Sequence, residues 1–577
     1  METTNALLTA ARAWRDDDPD PATVAELDAL ITRAEAGDDA AITDLTDRFT
    51  GLLQFGTAGL RGALGAGPNR MNRAVVVRAA AGLAAYLTAN VPAPQSPRVV
   101  VGFDARHNSD TFAADTCAVM AGAGIEALVL PRPLPTPVLA FAVRHLGADA
   151  GVMVTASHNP PQDNGYKVYL GGRLTAPEGN GVQIVPPADA EIAAAIAAVT
   201  SVRDVVRADD GWSTLGDDLL DTYLEQAASV VAPDSPRDLS IVLTPLHGVG
   251  GDTAVRALTA AGFAAPYVVP QQAEPDPDFP TVAFPNPEEP GAIDLALAAA
   301  AEHGADLVIA NDPDADRCAV AVLDPDGAGP KQPAWRMLRG DELGALLGSH
   351  LIARGLPETA DGVPAVMACS IVSSELLSEI AARAGVGHAE TLTGFKWIAR
   401  VPGLVFGYEE ALGYCVAPHL VRDKDGITTA LLIAELAATL KAAGRTLIDE
   451  LDALAVRHGV HATDQLAVRV DDLALIDAAM ARLREHPPTT LAGQPVVSVE
   501  DLTQPTTDLP PTDGLRYRTD GGIRVVVRPS GTEPKVKCYL EAVVPVSYGI
   551  IGVPGARSLA ARRLDHTRSD LRSLLGL

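Results

Sequence analysis

Asp312, Asp314 and Asp316 stand within five positions, after an apolar run at 307–310 and directly before Arg317. Carboxylates packed this closely repel one another by roughly 3 kcal/mol per pair at a separation of ~5 Å and an effective dielectric of about 20. A fold that gathers them at a strand end needs a compensating charge. Hard oxygen donors with no Cys or His among them suit Mg²⁺ better than zinc. The competing reading is a solvated acidic turn bent by Pro313. An EF-hand is excluded, because its sixth position needs Gly and holds Arg317, and its twelfth needs Glu and holds Leu323.

Four further segments carry chemistry. Thr155-Ala156-Ser157-His158-Asn159-Pro160 follows an apolar strand pattern at 151–154. A Ser at the end of a parallel strand sits where α/β folds place reactive groups, and an adjacent imidazole can move a proton. A hydrolase nucleophile elbow fits poorly, because positions 155 and 159 hold Thr and Asn where Gly is required. An Asn-Pro turn capped by Ser and Thr is the plainer reading. Lys167, in Gly165-Tyr166-Lys167, is a second proton donor if it is buried and a solvated charge if it is not. In Arg528-Pro529-Ser530-Gly531-Thr532-Glu533-Pro534-Lys535, Gly531 lets backbone N–H groups close on an anion, and Arg528 offers a bidentate fork suited to phosphate. A plain turn between two strands competes with that reading. Glu409 and Glu410, on a Gly-bounded loop from 407 to 413, can accept hydrogen bonds from vicinal hydroxyls, or can simply be exposed. Thr393-Gly394-Phe395-Lys396 and His247-Gly248-Val249-Gly250-Gly251 say little alone; the second reads as a strand-to-helix turn.

The elements that must position these residues repeat. An apolar strand, a polar turn, a helix, then Ala-Gly and a second apolar strand occur at 99–125, 241–263 and 365–386. In each copy Gly falls just past the helix, where a left-handed residue is wanted. Strand, crossover helix and strand form the βαβ unit. Three copies point to three similar mixed α/β domains, or to one large sheet with ordinary βαβ units. The tail differs: strand patterns at 465–470 and 522–527 flank a helix at 473–484, a smaller α+β domain closed by a terminal helix at 556–575. Residues 1–50 read as two amphipathic helices, and the Pro/Gly-rich stretches at 275–290 and 324–333 read as loops.

Composition narrows the class. The 577 residues suggest about four domains. A net charge of −28 argues against nucleic acid or an anionic membrane as the partner, so an anionic substrate needs local cations. Five widely spaced cysteines with no C-x-x-C pair point to reduced thiols and a cytoplasmic setting. There is no signal-peptide pattern at the N-terminus and no apolar run long enough to span a bilayer.

Taken in order, F-G-T-A-G-L-R-G at 55–62, T-A-S-H-N-P, D-P-D-A-D-R, G-F-K at 394–396, G-Y-E-E-A-L-G and R-P-S-G-T-E-P-K resemble the α-D-phosphohexomutase family over nearly the whole chain. The resemblance implies three similar mixed α/β domains plus a smaller C-terminal α+β domain around a central cleft. The expected divisions are 1–210 for a phosphoserine domain with the N-terminal helices, 211–330 for metal binding, 331–456 for sugar and 457–577 for phosphate. It further implies Ser157 as a phosphorylated serine, and one Mg²⁺ held by Ser157, Asp312, Asp314 and Asp316. Arg317 would hold the transferring phosphoryl group, with Arg61, His158 and Lys167 supporting proton transfer. Glu409 and Glu410 would contact sugar hydroxyls, and Thr393, Gly394 and Lys396 the other side of the sugar. Arg528, Ser530, Gly531 and Thr532 would grip the non-reacting phosphate. The implied reaction interconverts hexose 1-phosphate and hexose 6-phosphate, glucose before mannose, with a sugar bisphosphate as intermediate and activator. The implied partner is a small phosphosugar, and the implied state is a monomer or homodimer.

The sequence departs from many relatives of this kind in one place: Ala411 follows the paired glutamates where a hydroxyl residue is common. That leaves the sugar open, and since the F-G-T-A-G-L-R-G and G-Y-E-E forms resemble a longer branch that includes glucose, mannose and pentose phosphate mutases, a pentose phosphate mutase is the alternative within the family. A Mg²⁺-dependent phosphatase of the haloacid-dehalogenase type is a rival of another class, but its D-x-D-x-T/V pattern wants Thr or Val at 316 and leaves Ser157 unexplained. A sugar-phosphate-binding regulator that lost its chemistry is the non-enzyme rival.

Overall fold

The computed structural model describes residues 2–56, 59–325, 334–357, 359, 362–470, 473–504, 509–529, 535–547 and 551–576. Two units divide the chain: Met1–Met337 with Gly413–Ala438, and Leu338–Leu412 with Thr439–Leu577. The first unit opens with three helices, Glu2–Asp17, Pro21–Glu35 and Asp39–Arg48, rather than the two expected. The reason is local. Asp20 caps the second helix, accepting from the Ala22 N–H at 2.9 Å with Pro21 in its first turn. Asp38 caps the third through Ala40 and Ala41, so each Asp starts a new helix. Leu8, Leu27, Ile31 and Leu45 form the small core beneath them.

A mixed sheet follows, ordered Leu60–Ala63, Asp163–Leu170, Ala150–Val154, Arg98–Phe103, Glu126–Val129 and Ser213–Thr214. Arg98–Phe103 runs parallel to Ala150–Val154, and Asp163–Leu170 returns antiparallel beside it, with Lys167 opposite Met153. Val99, Val101, Val152 and Val154 are fully buried in one core with Phe112 and Met120 of the helix Ser109–Gly122. Such uninterrupted apolar runs belong to strands covered by helices. The second sheet of this unit pairs Leu307–Ala310 parallel to Ile241–Thr244 and antiparallel to Ala319–Asp324. Both Ala150–Val154 and Leu307–Ala310 thus end, in the parallel sense, at loops carrying the chemistry-bearing motifs.

In the second unit, Val366–Ser370 pairs parallel to Gly387–Thr391 and to Leu404–Glu409. The tail is an antiparallel sheet ordered Val460–Arg469, Lys535–Val544, Ile523–Pro529, Leu515–Thr519, Gln494–Asp501 and Thr490–Leu491. The helices Leu473–Glu485 and Val553–Leu575 share one core with it. The Ala-Gly signature marks what it promised: Gly124, Gly262 and Gly385 have φ of 74°, 90° and 68° just past their helices. All five cysteines are free and buried, and burial pushes the thiols of Cys117, Cys415 and Cys538 up to about 12. Among the described residues no single helix is long and apolar enough to cross a membrane.

Candidate active site

Ser157 sits three residues beyond its strand with φ of 54°, a left-handed conformation uncommon for a residue with a side chain. Its N–H donates to Thr155 Oγ1 at 2.9 Å. Its Oγ donates to Asp312 Oδ2 at 2.8 Å, and His158 Nδ1 lies 3.2 Å from Ser157 Oγ. The serine and the aspartate cluster, 155 positions apart in sequence, therefore meet in one place. Asp312, Asp314 and Asp316 are fully buried, and a ligand oxygen from each lies within 4.8 Å of the others.

Two lysines face the cluster. Lys167 Nζ donates to Asp314 Oδ2 at 2.7 Å and Asp316 Oδ2 at 3.0 Å. Lys424 Nζ lies 3.0 Å from Asp316 Oδ2. Arg317 Nε lies 4.0 Å from Asp312 Oδ2 and 3.9 Å from Asp316 Oδ1. Thr136 Oγ1 donates to Asp314 Oδ2 at 2.6 Å, and its N–H donates to the Asp314 carbonyl. Arg61, half-buried on its strand, reaches the serine loop by donating to Asn159 Oδ1 at 3.2 Å.

The charges follow from these neighbours. Burial pushes the Asp312 carboxyl well above the usual range, reinforced by Asp314 and Asp316. Burial also opposes ionisation of Asp314 and Asp316, but Lys167 holds both below the usual range, helped by Thr136 at Asp314 and by Lys424 and Arg317 at Asp316. Burial lowers His158, and the Arg317 and Arg61 charges lower it further, so its imidazole is neutral. The Lys167 ammonium is stabilised by both aspartates against the cost of burial.

The cluster fits a hard divalent cation. Among the described residues, Oδ1 of Asp314 and Oδ1 of Asp316 are buried without a hydrogen-bond partner, an expensive state for charged oxygens that a cation relieves. The loop carrying them is tightly moulded. Ala315 is left-handed at φ 54°. A Cβ on Gly248 would lie 2.3 Å from Pro313 Cα, and one on Gly426 would lie 2.3 Å from the Arg317 carbonyl oxygen. The His247-Gly248 motif, mute in sequence, is thus the surface against which the aspartate loop packs.

In the second unit, Glu409 is the last residue of a strand rather than part of a loop, because Gly407 and Tyr408 continue the pairing with Val366–Ser370. Glu410 Oε2 accepts from Ser370 Oγ at 3.1 Å and from Ser373 Oγ at 3.2 Å. Burial, with the charges of Glu409 and Asp341, pushes the Glu410 carboxyl up to about 7. Thr393 Oγ1 accepts from Arg528 Nη1, so two segments expected to read the ligand touch each other. Gly394, at φ 104°, turns the chain into the short helix Phe395–Ile398 that carries Lys396. Ser530, Gly531 and Thr532 lie outside the described residues.

Sequence reasoning missed Lys424, Thr136 and Arg106, the last of which grips the serine loop from its underside. Lys424 carried a signal, a lysine between two aspartates just before the helix Gly426–Ala442. Thr136, at a helix start, carried none.

Family profiles described as phosphoglucomutase/phosphomannomutase, alpha/beta/alpha domains I, II and III and C-terminal domain match residues 52–203, 221–327, 339–456 and 466–546 in that order. A Haemophilus influenzae protein named "Probable phosphomannomutase" is 47% identical over 82% of this chain and 93% of its own. A Schizosaccharomyces pombe protein named "Probable phosphoribomutase" is 36% identical over 91% of this chain and 92% of its own. The crystal structure of a phosphoglucomutase/phosphomannomutase family protein from Burkholderia thailandensis superposes with a TM-score of 0.66 at 20% identity, over 89% of this chain and 96% of its own, and shares the fold. Four such domains in this order define an isomerase that moves phosphoryl groups on sugars. The chain belongs to the phosphoglucomutase/phosphomannomutase group of the α-D-phosphohexomutase family.

Proposed function

We propose that this mutase interconverts the 1-phosphate and 6-phosphate of a hexose, glucose first and mannose second, with Ser157 as the phosphoryl carrier. The observation that carries this reading is the 2.8 Å hydrogen bond from Ser157 Oγ to Asp312 Oδ2 within a buried, lysine-flanked carboxylate cluster. In the first half-reaction the P–O bond to Ser157 breaks as one to the free sugar hydroxyl forms, giving a hexose bisphosphate; the hydroxyl gives its proton to a base, and the departing Ser157 Oγ takes one up. After the bisphosphate turns over, its other phosphoryl group returns to Ser157, whose Oγ gives up its proton as the sugar oxygen takes one back. His158 lies within reach of that proton at Ser157, and Arg61 and Lys167 support the transfer electrostatically.

Asp312, Asp314, Asp316 and an oxygen of phosphorylated Ser157 would hold one Mg²⁺. When bound, the ion supplies positive charge that polarises the transferring group. Arg317 holds that group in line. Glu409, with Glu410, accepts from sugar hydroxyls, and Thr393, Gly394 and Lys396 contact the sugar's other side. Arg528, Ser530, Gly531 and Thr532 hold the phosphate that does not react. On this reading residues 1–210, 211–330, 331–456 and 457–577 serve phosphoserine, metal, sugar and phosphate in turn, and a sugar bisphosphate primes the enzyme in the cytoplasm.

Ala411, which has no hydroxyl to offer a hexose, supports a second reading on pentose phosphates, as does the name of the fission-yeast relative. Peptide mapping for phosphate on Ser157, followed by coupled assays on glucose, mannose, ribose and deoxyribose 1-phosphates, separates the two. Turnover confined to the pentoses would replace the hexose reading, and a phosphate-free Ser157 in active enzyme would end both.

A further inference from the structure

Arg106 belongs to none of the motifs above, yet its guanidinium spends four hydrogen bonds on one loop. Nη2 donates to the Ser157 carbonyl at 2.7 Å and to the Asn159 carbonyl at 2.5 Å. Nη1 donates to the Pro160 carbonyl at 2.8 Å and the Asp163 carbonyl at 3.2 Å. Nε faces Asp104 Oδ2 at 3.4 Å, and Asp104 is fixed in turn by the Arg106 N–H at 3.0 Å and Ser109 Oγ at 2.6 Å. The side chain is 1% exposed, and its Cζ stands 4.9 Å from the centroid of the Phe279 ring.

We infer that Arg106 is a positioning residue for phosphoryl transfer, clamping the serine loop so that the left-handed Ser157 keeps its Oγ on the aspartate cluster. The inference rests on the reading of Ser157 as carrier. A left-handed serine costs of order 1–2 kcal/mol and persists only where its surroundings over-determine it. Here those surroundings are carbonyls held by one planar fork. Lysine cannot reproduce that pattern, since its three donors radiate from a point. Phe279 extends the clamp. Its segment is tied to His247 by the Asp276 N–H, and Val249, two residues on, donates its N–H to the Pro313 carbonyl at 2.8 Å. The serine loop and the aspartate loop are thereby braced through protein alone.

The test compares wild type with Arg106→Lys, Arg106→Ala and Phe279→Leu, and uses Ser157→Ala as the phosphate-free control. Four quantities are read: phosphate on Ser157 by intact mass after incubation with glucose 1,6-bisphosphate, kcat and KM, melting temperature, and recovery of Arg106→Ala activity in added guanidinium. A loop displaced by ~1 Å costs about 10²-fold in rate, so kcat falls by that order in Arg106→Lys while KM holds near wild type. Slower phosphorylation of Ser157 and partial recovery by guanidinium accompany it. Phe279→Leu shows a smaller fall in kcat, and it decides the matter if the Arg106 variants fail to fold. Arg106→Lys or, in that case, Phe279→Leu with wild-type kcat beside a fully phosphorylated wild type overturns the inference alone. So does a loss of activity in Arg106→Lys that only tracks melting temperature, without guanidinium recovery of Arg106→Ala. A wild type that never acquires phosphate on Ser157 overturns the functional reading and the inference together.

Discussion

Glu541→Gln in the second unit is expected to weaken that unit by ~3 kcal/mol at neutral pH, although it removes no volume. The Glu541 side chain is 1% exposed and accepts from Arg524 Nε at 3.0 Å, Ser374 Oγ at 2.6 Å and the Glu375 N–H at 3.1 Å, with His461 Nδ1 at 3.0 Å. Burial opposes its charge, but Arg524 and His461 hold its carboxyl down to about 2 against an ordinary 4.5. At about 1.4 kcal/mol per pH unit, that gap corresponds to ~3 kcal/mol. Breaking one side of a buried pair independently suggests about 3–5 kcal/mol, since Arg524 stays behind uncompensated. The sign is set by a folded value below the unfolded one. The contribution is complete above about pH 4.5 and fades as pH falls toward 2. Urea unfolding followed by fluorescence and far-UV circular dichroism, fitted with separate transitions for the two units, measures it. The difference between wild type and variant should be constant from pH 8 to pH 5 and narrow below that. A difference under about 1 kcal/mol, or one that does not narrow, would refute the claim that ionic burial is what holds this network. Arg524 also donates to the Ile371 and Ser373 carbonyls, and Ser373 supports Glu410, so KM for the sugar phosphate should rise in the same variant.

Glu410 behaves oppositely. Its carboxyl is raised from 4.5 to about 7, so wild-type stability should decline as pH rises through that window, and Glu410→Gln should melt higher than wild type at pH 8 but not at pH 4.5 in differential scanning calorimetry. Gly248→Ala drives a Cβ into Pro313 and should cost about 1–3 kcal/mol while weakening Mg²⁺ binding in titration calorimetry; unchanged affinity would show that the aspartate loop tolerates displacement. Chelation should abolish turnover and Mg²⁺ should restore it, with Ca²⁺ a poor substitute because it prefers longer bonds and more ligands. Lys424→Met should remove one of the two lysines at Asp316 and, by taking a cation away from the metal site, lower the Mg²⁺ concentration needed for half-activation, whereas Asp316→Asn should raise it, as read by activity against metal concentration.

Much of the site was legible because like charges at close spacing are costly and so conspicuous. Asp312, Asp314 and Asp316 could be picked out with no fold in hand, and Ser157 stood at a strand end. What stayed hidden depends on approach in space. Thr136 supports Asp314 from a helix start, and nothing in a Thr-Pro pair announces a carboxylate partner. Gly248 matters only because Pro313 comes to rest against it. Lys424 reaches Asp316 because the chain re-enters the first unit after residue 412, a topological fact absent from local pattern. Residues 1–50 read as two helices by their amphipathic pattern, but Asp20-Pro21 and Gly37-Asp38 break that stretch into three, because such pairs are strong helix-end signals.

The five interior sulfurs give the molecule a built-in clock. Cys117, Cys318 and Cys415 belong to one unit and Cys369 and Cys538 to the other. With their thiols shielded and held protonated, none can meet an alkylating reagent until its surroundings part. Mass-resolved labelling over time would therefore report how often each half of this enzyme breathes, with no engineered probe.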